Sequence, residues 1–311
     1  MKYKFDDING ISEQILKTKE SARNIAHNNS PVLIYGETGT GKELFVSAIH
    51  NESSRKKGPF IAYNCAAIPV DLAESILFGS VSGAYTDAKN QKGVFELANN
   101  GTLYLDELNS MPMQIQGKLL RVIQEGYINR VGDTNYIKVN VRIIASVNEN
   151  FKSILQNKRV RNDLFFRLNI NTLDIPRLSD RIEDIKVLAE QFIKVYNEKF
   201  NCMVEGISKK SLEKLISYEW PGNVRELKNV IERAFLYQRE GILEDKHIEL
   251  DFNKFSEENI GLKEKLFIYE RNLIRQALSI NNNNVSKTAE YLKIPRQTLQ
   301  NKIRLFGLRS V

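Results

Sequence analysis

The sequence predicts an α/β protein built on a parallel sheet, followed by a smaller helical subdomain and an all-α tail. Strand and helix patterns alternate from residue 31 to about 174, which is typical of a parallel sheet covered by helices on both faces. The candidate strands are 32–35, 60–64, 102–105, 141–147 and 170–174. After Pro176 only helical patterns follow, at about 181–199, 208–218 and 223–238.

The first strand runs into a glycine-rich loop, which we interpret as a phosphate-binding loop (P-loop). The apolar run Val32–Tyr35 precedes it, and a helical pattern follows it. The loop consists of Gly36, Glu37, Thr38, Gly39, Thr40, Gly41 and Lys42. Its glycines let backbone N–H groups point at phosphate oxygens, and the positive end of the next helix adds to that field. Lys42 is expected to reach the β- and γ-phosphates.

The third candidate strand ends in two carboxylates, Asp106 and Glu107. Ligands of parallel sheets bind at the carboxyl ends of strands, where adjacent residues point to opposite sides. We therefore expect Asp106 to hold Mg²⁺, directly or through water, and Glu107 to polarise the attacking water. Asp106 would then compensate for Glu43, which stands where the generic loop has a Ser or Thr ligand. A solvated loop entry is the alternative for such a strand end taken alone.

Composition and cysteine usage exclude several classes of protein. The chain has 311 residues, 42% of them hydrophobic and 27% charged, as in ordinary globular proteins. Its apolar runs are too short to span a membrane, and the first residues lack the apolar core of a signal peptide. Cys65 and Cys202 are too few for a disulfide framework, which favours a reducing, cytoplasmic location. His27, His50 and His247 show no ligand spacing, so no metal cluster is expected.

The net charge of +7 is concentrated in the tail. Residues 262–311 contain ten Lys or Arg and three acids, which sum to 10 − 3 = +7, so the first 261 residues sum to zero. A neutral body with a basic tail indicates a nucleic-acid partner for the tail. A solubilising pair of basic helices is the alternative on charge alone.

The tail also carries the pattern of a helix-turn-helix. Val285, Ala289 and Leu292 share one helix face, and Pro295 then breaks that helix and opens the next. The second helix buries Leu299 and its i+4 and i+7 neighbours. Its other face carries side chains that can read base edges and hold phosphates of double-stranded DNA, namely Arg296, Gln297, Gln300, Asn301 and Arg304. An ordinary helical hairpin is the alternative for this motif alone.

Residues 5 to about 240 resemble the AAA+ domain of the bacterial enhancer-binding proteins, the ATP-driven activators of sigma-54 RNA polymerase. The matching stretches, in the family's order, are GETGTGKELF, AIHNESSRKKGPF, NCAAIP, ESILFG, GAYTDA, GTLYLDE, QGKLLRVIQEG, RNDLFFRL, IPRL and WPGNVREL. The stretch NNNNVSKTAEYLKIPRQTLQNKIRLFGL resembles the Fis-type domain that ends these activators. The family also carries Glu after the P-loop lysine. The resemblance divides the chain into an AAA+ α/β subdomain at 1–176, a helical lid at 177–250, a linker at 251–261 and a Fis-type helix-turn-helix domain at 262–311.

The resemblance implies that two arginines act on a neighbouring subunit. Arg161 and Arg167 resemble fingers that reach the γ-phosphate held by that subunit, where an arginine supplied in trans stabilises transition-state charge. Surface salt bridging is the alternative for both.

Three further residues match positions with known roles in the family, two of them its nucleotide sensors. Asn148 matches the first sensor, next to Val147 where the family usually has Thr, and Asn64 matches the asparagine that holds the catalytic glutamate. A plain turn asparagine is the alternative for Asn64. Arg225 matches the second sensor. We expect Asn223 to cap its helix, which puts Arg225 in a first turn where a cation is unfavourable unless a phosphate, or alternatively a carboxylate, lies nearby.

The segment 78–92 contains a loop that resembles the family's GAFTGA loop, which contacts sigma-54 when ATP is bound. Its residues are Gly83, Ala84, Tyr85, Thr86, Asp87 and Ala88. Tyr85 keeps the aromatic ring of the usual Phe. Asp87 replaces a glycine, which adds a charge and removes backbone freedom. The loop sequence therefore predicts contact with sigma-54. Asp87 is the departure from the family pattern that weakens this prediction.

The leading hypothesis is a transcription activator that uses ATP and Mg²⁺. The tail dimer, paired through a helix at about 262–279, would bind an enhancer-like upstream activating site. A homo-oligomer, expected as a hexameric ring, would remodel the sigma-54 RNA polymerase closed complex, with no membrane involved. The alternative is a DNA-binding regulator whose AAA+ module senses nucleotide or assembles without engaging sigma-54. A general AAA+ remodeller would have no reason to carry GAYTDA with a Fis-type tail. The activity could be controlled by a separate protein or by an upstream segment, and the sequence leaves both alternatives open.

Overall fold

The computed structural model describes residues 3–84, 89–250 and 284–306, with positions 270, 273, 274, 277, 278 and 281; the side chains of Lys152 and Arg304 are not described. The chain divides into two compact units, Met1–Glu249 and Leu250–Val311. Within the described ranges, every helix is too short or too polar to cross a lipid bilayer. The predictions for Tyr85, Thr86, Asp87 and Ala88, for the linker 251–261 and for most of the 262–279 helix concern residues outside these ranges.

The first unit alternates strands and helices along most of its length. The strands are β1 Val32–Tyr35, β2 Phe60–Asn64, β3 Gly79–Ser80, β4 Gln91–Lys92, β5 Thr102–Asp106, β6 Tyr127–Ile128, β7 Ile137–Lys138, β8 Arg142–Val147, β9 Asn171–Asp174, β10 Met203–Ile207 and β11 Glu240–Leu243. The helices are α1 Glu13–Ala26, α2 Lys42–Glu52, α3 Val70–Phe78, α4 Val94–Leu97, α5 Met113–Glu125, α6 Phe151–Gln156, α7 Asn162–Leu168, α8 Glu183–Phe200, α9 Lys209–Ile216 and α10 Asn223–Ala234. Short 3-10 helices lie at Phe5–Asp7, Leu108–Ser110, Leu178–Asp180 and Asp245–His247.

A five-stranded parallel sheet in the order β2-β5-β8-β1-β9 forms the centre of this unit. All six residues of β8 are buried, because helices cover both faces of the sheet. One apolar cluster packs α1 and α2 against β1, around Phe45 and Ile49. The other packs α3 to α7 against the opposite face, around Phe95 and Leu119. The predicted fold class, including strands at all five expected places, is confirmed.

The lid is not purely helical, contrary to the prediction that only helices follow Pro176. Strands β10 and β11 pair in parallel, and β10 packs beside the helix α8. Along β10 only Val204 is buried, and along β11 only Leu243. Strands of four or five residues with one buried side chain each produce no alternating pattern, so the sequence gives no signal for them.

In the second unit the described residues form the expected helix pair, Val285–Tyr291 and Arg296–Leu305. The Asn284 side chain caps the first helix by accepting from the N–H groups of Ser286 and Lys287. The second helix contributes to an apolar core, whose buried members are Ile274, Leu278, Ala289, Leu299, Ile303 and Phe306. The predicted buried face of this helix is therefore confirmed.

Candidate functional site

The P-loop joins the carboxyl end of β1 to the first turn of α2. Gly39 and Gly41 have φ angles of +83° and +102°, which glycine adopts without steric cost. The Lys42 ammonium donates to the carbonyl oxygens of Gly36 at 2.6 Å and Glu37 at 3.2 Å, while Thr40 Oγ1 donates to Glu37 O at 2.8 Å. The loop thus wraps around its own lysine, in the place where phosphate oxygens would bind.

Charges from two distant parts of the sequence, and one from the loop itself, surround Lys42. Burial lowers the pKa of Lys42, whereas Asp106, Glu107 and Glu37 favour its charged form and the cation of Arg225 opposes it. The predicted lysine, the acidic strand end and the second-sensor arginine therefore lie within electrostatic reach of one another. This is the convergence that a site for the triphosphate and its counter-ion requires.

The Asp106 carboxylate is anchored by a buried hydroxyl network. Its Oδ1 atom accepts from Tyr104 Oη at 2.7 Å, from Ser146 Oγ at 2.5 Å and from the Glu107 N–H at 3.1 Å. Tyr104 Oη also lies 3.0 Å from Ser146 Oγ. Burial raises the pKa of the Tyr104 phenol, and Asp106 raises it further, so this hydroxyl stays protonated and donates. Sequence reasoning missed both hydroxyl groups.

Glu107 differs from its neighbour in both backbone and side chain. Its φ angle is +52°, a left-handed conformation that is uncommon for a residue with a side chain and concentrates at functional sites. Among the residues described, none donates a hydrogen bond to its carboxylate, which is half-buried. That arrangement leaves the carboxylate available to a water molecule, as the predicted role requires.

The two asparagines matched to the family occupy strand ends beside the acidic pair. Asn148 follows β8 and accepts a hydrogen bond from Asn109 Nδ2 at 3.0 Å. Asn64 ends β2, but its amide nitrogen lies 3.5 Å from Asp106 Oδ2 rather than on Glu107. Its carbonyl oxygen accepts from the N–H groups of the turn at 66 and 67. In this structure Asn64 caps the turn and faces Asp106, and its role in holding Glu107 stays a prediction.

The lid rests directly on the P-loop through Asn223. Instead of capping α10 as predicted, Asn223 has a φ angle of +52° and is fully buried, and Gly222 precedes the helix. Its amide nitrogen donates to Thr38 O at 3.1 Å, and its oxygen accepts from the Leu178 N–H at 2.9 Å. A cap to its own helix is the local choice, but Asn223 is itself fully buried, and its side chain instead bonds to backbone groups of Thr38 and Leu178.

Arg225 lies in the first turn of α10, as predicted, with its N–H donating to Gly39 O at 3.2 Å. Within the described part of the chain, no carboxylate lies within 4.0 Å of its guanidinium group. The alternative of a carboxylate partner is thus not seen, and the cation faces the P-loop. A second contact between lid and P-loop, which was not predicted from the sequence, is the salt bridge between Arg177 Nη2 and the Glu37 carboxylate at 2.7 Å.

A buried arginine connects the back of the P-loop to the N-terminal segment. Arg181 Nη2 donates to Thr40 O at 3.1 Å, and its Nη1 lies 3.8 Å from Asp184 Oδ2. Asp184 in turn accepts from the N–H groups of Ile11 and Ser12 at 2.6 and 2.8 Å. Because the partners are up to 173 residues apart, no local pattern predicts this network.

The two expected finger arginines lie on the outer surface around α7. Arg161 precedes the helix and pairs with Asp163 through Nη2 at 2.8 Å. Arg167 is exposed, and no carboxylate of the described residues lies within 4.0 Å of it. The surface salt bridge that was the alternative reading is present for Arg161 and not seen for Arg167.

The donor set suits magnesium held mainly by the nucleotide. No group of three or more His, Cys, Asp or Glu among the described residues could hold a metal ion. Mg²⁺ typically takes one or two carboxylates together with phosphates and waters. Asp106 Oδ2, with only the amide at 3.5 Å, has an oxygen to offer, so the residues present fit the ion. Glu43 is exposed in the first turn of α2, where an acid is favoured by the helix dipole.

The GAYTDA segment emerges from a short antiparallel stem, β3 paired with β4. Gly83 has a φ of +85° and open space around it, and Ala84 approaches Gly132 of the neighbouring β6–β7 hairpin. The other four loop positions lie outside the described residues. In the tail, Arg296, Gln297 and Asn301 are exposed on one face of the second helix, and Gln300 is half-exposed.

Comparison with known proteins matches each region of the chain. A sigma-54 interaction domain matches residues 8–174, an AAA+ ATPase lid domain matches 179–263, and a bacterial regulatory protein domain of the Fis family matches 268–306. The transcriptional activator RocR of Bacillus subtilis is 43% identical over 322 residues, covering 99% of this chain and 70% of RocR. A signal-transduction and transcriptional-control protein of Clostridium beijerinckii is 43% identical over 316 residues, covering 99% of this chain and 50% of that protein.

A solved structure agrees with these matches. The crystal structure of NtrX from Brucella abortus in complex with ATP superimposes with a TM-score of 0.73 at 31% identity, covering 97% of this chain and 69% of that one. The chain spans half of the Clostridium relative and about 70% of the other two. Its AAA+ core, lid and Fis-type helix-turn-helix occur in the family's order. The chain therefore belongs to the family of sigma-54-dependent transcriptional activators.

Proposed function

We propose that this protein is an ATP-hydrolysing activator that binds enhancer-like DNA and remodels closed complexes of sigma-54 RNA polymerase. The observation that carries the proposal is the convergence of Lys42, Asp106 and Glu107 at one edge of the sheet. That edge belongs to the region matched by the sigma-54 interaction domain. The complex of the similar NtrX with ATP supports ATP as the nucleotide. The domain boundaries at 176, 250 and 261 are part of the proposal.

The residues of the site divide the chemistry among them. The loop amides and Lys42 hold the β- and γ-phosphates, and Arg225 contributes a second cation from the lid. Asp106 would hold Mg²⁺, which when bound neutralises charge on the phosphates. Glu107 orients and polarises the attacking water, because its carboxylate has no other donor among the described residues.

We also propose that the active form is a ring, with a hexamer as the expected size. Arg167 is exposed and without a carboxylate partner in the described part, and Arg161 is held only by an exposed pair. Both would complete a neighbour's site, since an arginine supplied in trans stabilises the charge of the transition state.

Complementation between two inactive variants tests the shared site. A Lys42→Ala subunit lacks its own nucleotide site but still offers its arginines, while an Arg167→Ala subunit has the reverse defect. At a 1:1 ratio, one interface in about four would pair an intact lysine with an intact arginine, so about a quarter of wild-type ATP turnover should return. Arg121→Ala, at an exposed arginine of α5, is the matched control and should keep full activity. No recovery on mixing would contradict a site shared between subunits.

Engagement of sigma-54 is tested by a native-gel shift with purified sigma-54. A complex is expected with ADP and aluminium fluoride, which mimics the transition state, and not with magnesium ADP. Asp87→Gly restores the family's glycine and should strengthen the shift or leave it unchanged. If the native chain gives no shift while its ATP turnover is intact, and Asp87→Gly creates one, the protein is instead a DNA-binding regulator that does not engage sigma-54.

We propose that the tail binds an upstream activating site as a dimer, and that its second helix contacts the DNA. Its exposed side chains Arg296, Gln297 and Asn301 face away from the apolar core. Gln297→Ala should weaken binding to a selected site by about 1–3 kcal/mol while leaving non-specific binding nearly unchanged. Ser286→Ala, at an exposed position of the first helix, is the control, and equal loss in both variants would contradict the assignment.

A further inference from the structure

Two buried hydroxyl groups, on Tyr104 and Ser146, meet the same oxygen of Asp106. Tyr104 lies on β5 and is 3% exposed, while Ser146 lies on the neighbouring strand β8 and is fully buried. Their hydrogen bonds to Asp106 Oδ1 are 2.7 and 2.5 Å long, and the two hydroxyl oxygens are 3.0 Å apart. Each hydroxyl has one hydrogen, so Ser146 donates to Oδ1 while Tyr104 shares its hydrogen between Oδ1 and Ser146 Oγ. Such a buried network resists rotation of the carboxylate.

We propose that Tyr104 and Ser146 are positioning residues, which determine the oxygen of Asp106 that faces the magnesium ion of the bound nucleotide. The proposal rests on the proposed function, in which Asp106 holds that ion. Three donor groups, the two hydroxyls and the Glu107 N–H at 3.1 Å, lie within hydrogen-bond distance of Oδ1 and compete for its lone pairs. A carboxylate has about two lone-pair sites on each oxygen, so Oδ1 has no site left for an ion or its water. Oδ2 is the oxygen that stays available.

Ser146 supports the second carboxylate as well. Its Oγ accepts from the Glu107 N–H at 3.3 Å, and Glu107 is the residue with the left-handed φ of +52°. A strained backbone persists only where its surroundings hold it, and this hydrogen bond is one such restraint. One serine hydroxyl therefore orients the side chain of Asp106 and the backbone that presents Glu107.

The pleat of β8 explains why Ser146 carries this role and not its neighbour. Successive strand residues point to opposite faces, so Val147 enters the apolar cluster beneath the sheet while Ser146 faces Asp106. Two hydroxyls therefore reach Asp106 at this sheet edge. One comes from Ser146 on β8, and the other from Tyr104, which lies two residues before Asp106 on β5.

The test uses Tyr104→Phe, Ser146→Ala and the double variant, with Tyr63→Phe as matched control. Tyr63 is a buried tyrosine on the adjacent strand β2, and its hydroxyl has no hydrogen bond among the described residues. Binding of a fluorescent, non-hydrolysable ATP analogue is measured without turnover, across a Mg²⁺ titration and in EDTA. The Mg²⁺ concentration giving half-maximal ATP turnover is a second readout. Tyr104→Phe keeps the ring in place, so it decides the question if Ser146→Ala does not fold.

Each single variant should raise the half-saturating Mg²⁺ concentration about 10-fold, the usual effect of removing a group that orients a metal ligand. Affinity in EDTA should stay within about 2-fold, and the double variant should be less than multiplicative because both hydroxyls act on one oxygen. Tyr63→Phe should match the wild type. An unchanged Mg²⁺ dependence, or an equal loss of affinity in EDTA, overturns the proposal. A wild type that binds the analogue equally with and without Mg²⁺ would instead overturn the proposed function.

Discussion

Replacing Gly39 by alanine is expected to force the lid off the P-loop. The φ angle of Gly39 is +83°, and a β-carbon there would lie 2.2 Å from Gly222 O and 3.1 Å from Arg225 Cβ. Ordinary contact begins near 3.4 Å, so the backbone at Gly222 must retreat by 3.4 − 2.2 = 1.2 Å. Because protein interiors are close-packed, such a shift cannot be absorbed locally without loss of contacts.

The cost has a backbone part and a contact part. A left-handed conformation costs a residue with a β-carbon about 1–2 kcal/mol. The shift also breaks two hydrogen bonds. One runs from the Arg225 N–H to Gly39 O at 3.2 Å, and the other from the Asn223 side-chain amide to Thr38 O at 3.1 Å. At about 0.5–1.5 kcal/mol net for each hydrogen bond, the total for Gly39→Ala is about 2–5 kcal/mol. Gly41→Ala should cost only the backbone part, because at φ +102° the nearest atom to its β-carbon is 3.7 Å away.

Urea unfolding and hydrogen exchange of the 222–226 amides measure both parts. Gly39→Ala should lower the free energy of unfolding by about 1–3 kcal/mol more than Gly41→Ala does, which is the worth of two hydrogen bonds. Faster exchange at 222–226 should appear in Gly39→Ala alone. Both variants add one methyl group to the same loop, so effects common to the loop cancel. Equal destabilisation and unchanged exchange would refute the docking of the lid on Gly39.

Three further changes have defined outcomes. Glu107→Gln should lower ATP turnover at least about 100-fold, measured by phosphate release, with nucleotide affinity nearly unchanged, because it removes only the base. Lys158→Gly should raise the urea-derived stability by about 0.5–1 kcal/mol, since Lys158 has a φ of +50°, whereas Lys194→Gly inside α8 should lower it by about 1 kcal/mol. Arg130 holds the pKa of Glu96 below its usual 4.5, so their hydrogen-bonded pair adds stability above that pH and loses it as pH falls through the folded-state value. Glu96→Gln should therefore cost about 1.5–3 kcal/mol at pH 7, a difference from wild type that shrinks in urea titrations below about pH 4.5.

The central sheet was predictable because its signal is local. Strands β1 and β5 are buried along most of their length and read as apolar runs, and each ends at or just before a glycine or an acid. The same holds for the P-loop, whose function depends on residues adjacent in sequence. The lid strands β10 and β11 carry one buried residue each, so the pattern that marks a strand is missing there.

The candidate site was predictable in its reactive groups but not in the groups that hold them. Lys42, Asp106 and Glu107 each belong to a motif with a fixed spacing. Ser146 reaches Asp106 across 40 positions, and Asn223 reaches Thr38 across 185, so only the fold brings them together. Asn223 shows the conflict directly, since its local preference for a helix cap gives way to tertiary hydrogen bonds.

The geometry of the lid also links nucleotide affinity to lid position. Lys42 and Arg225 are cations that disfavour each other, and the lid contact at Gly39 keeps them close without a carboxylate near Arg225 in the described part of the chain. A bound phosphate relieves this repulsion only when the lid is docked, so it binds the docked state more tightly. Coupling between two equilibria is reciprocal, and docking must raise nucleotide affinity by the same factor. A variant that undocks the lid, such as Gly39→Ala, should consequently lose nucleotide affinity even though Lys42 and both carboxylates remain in place.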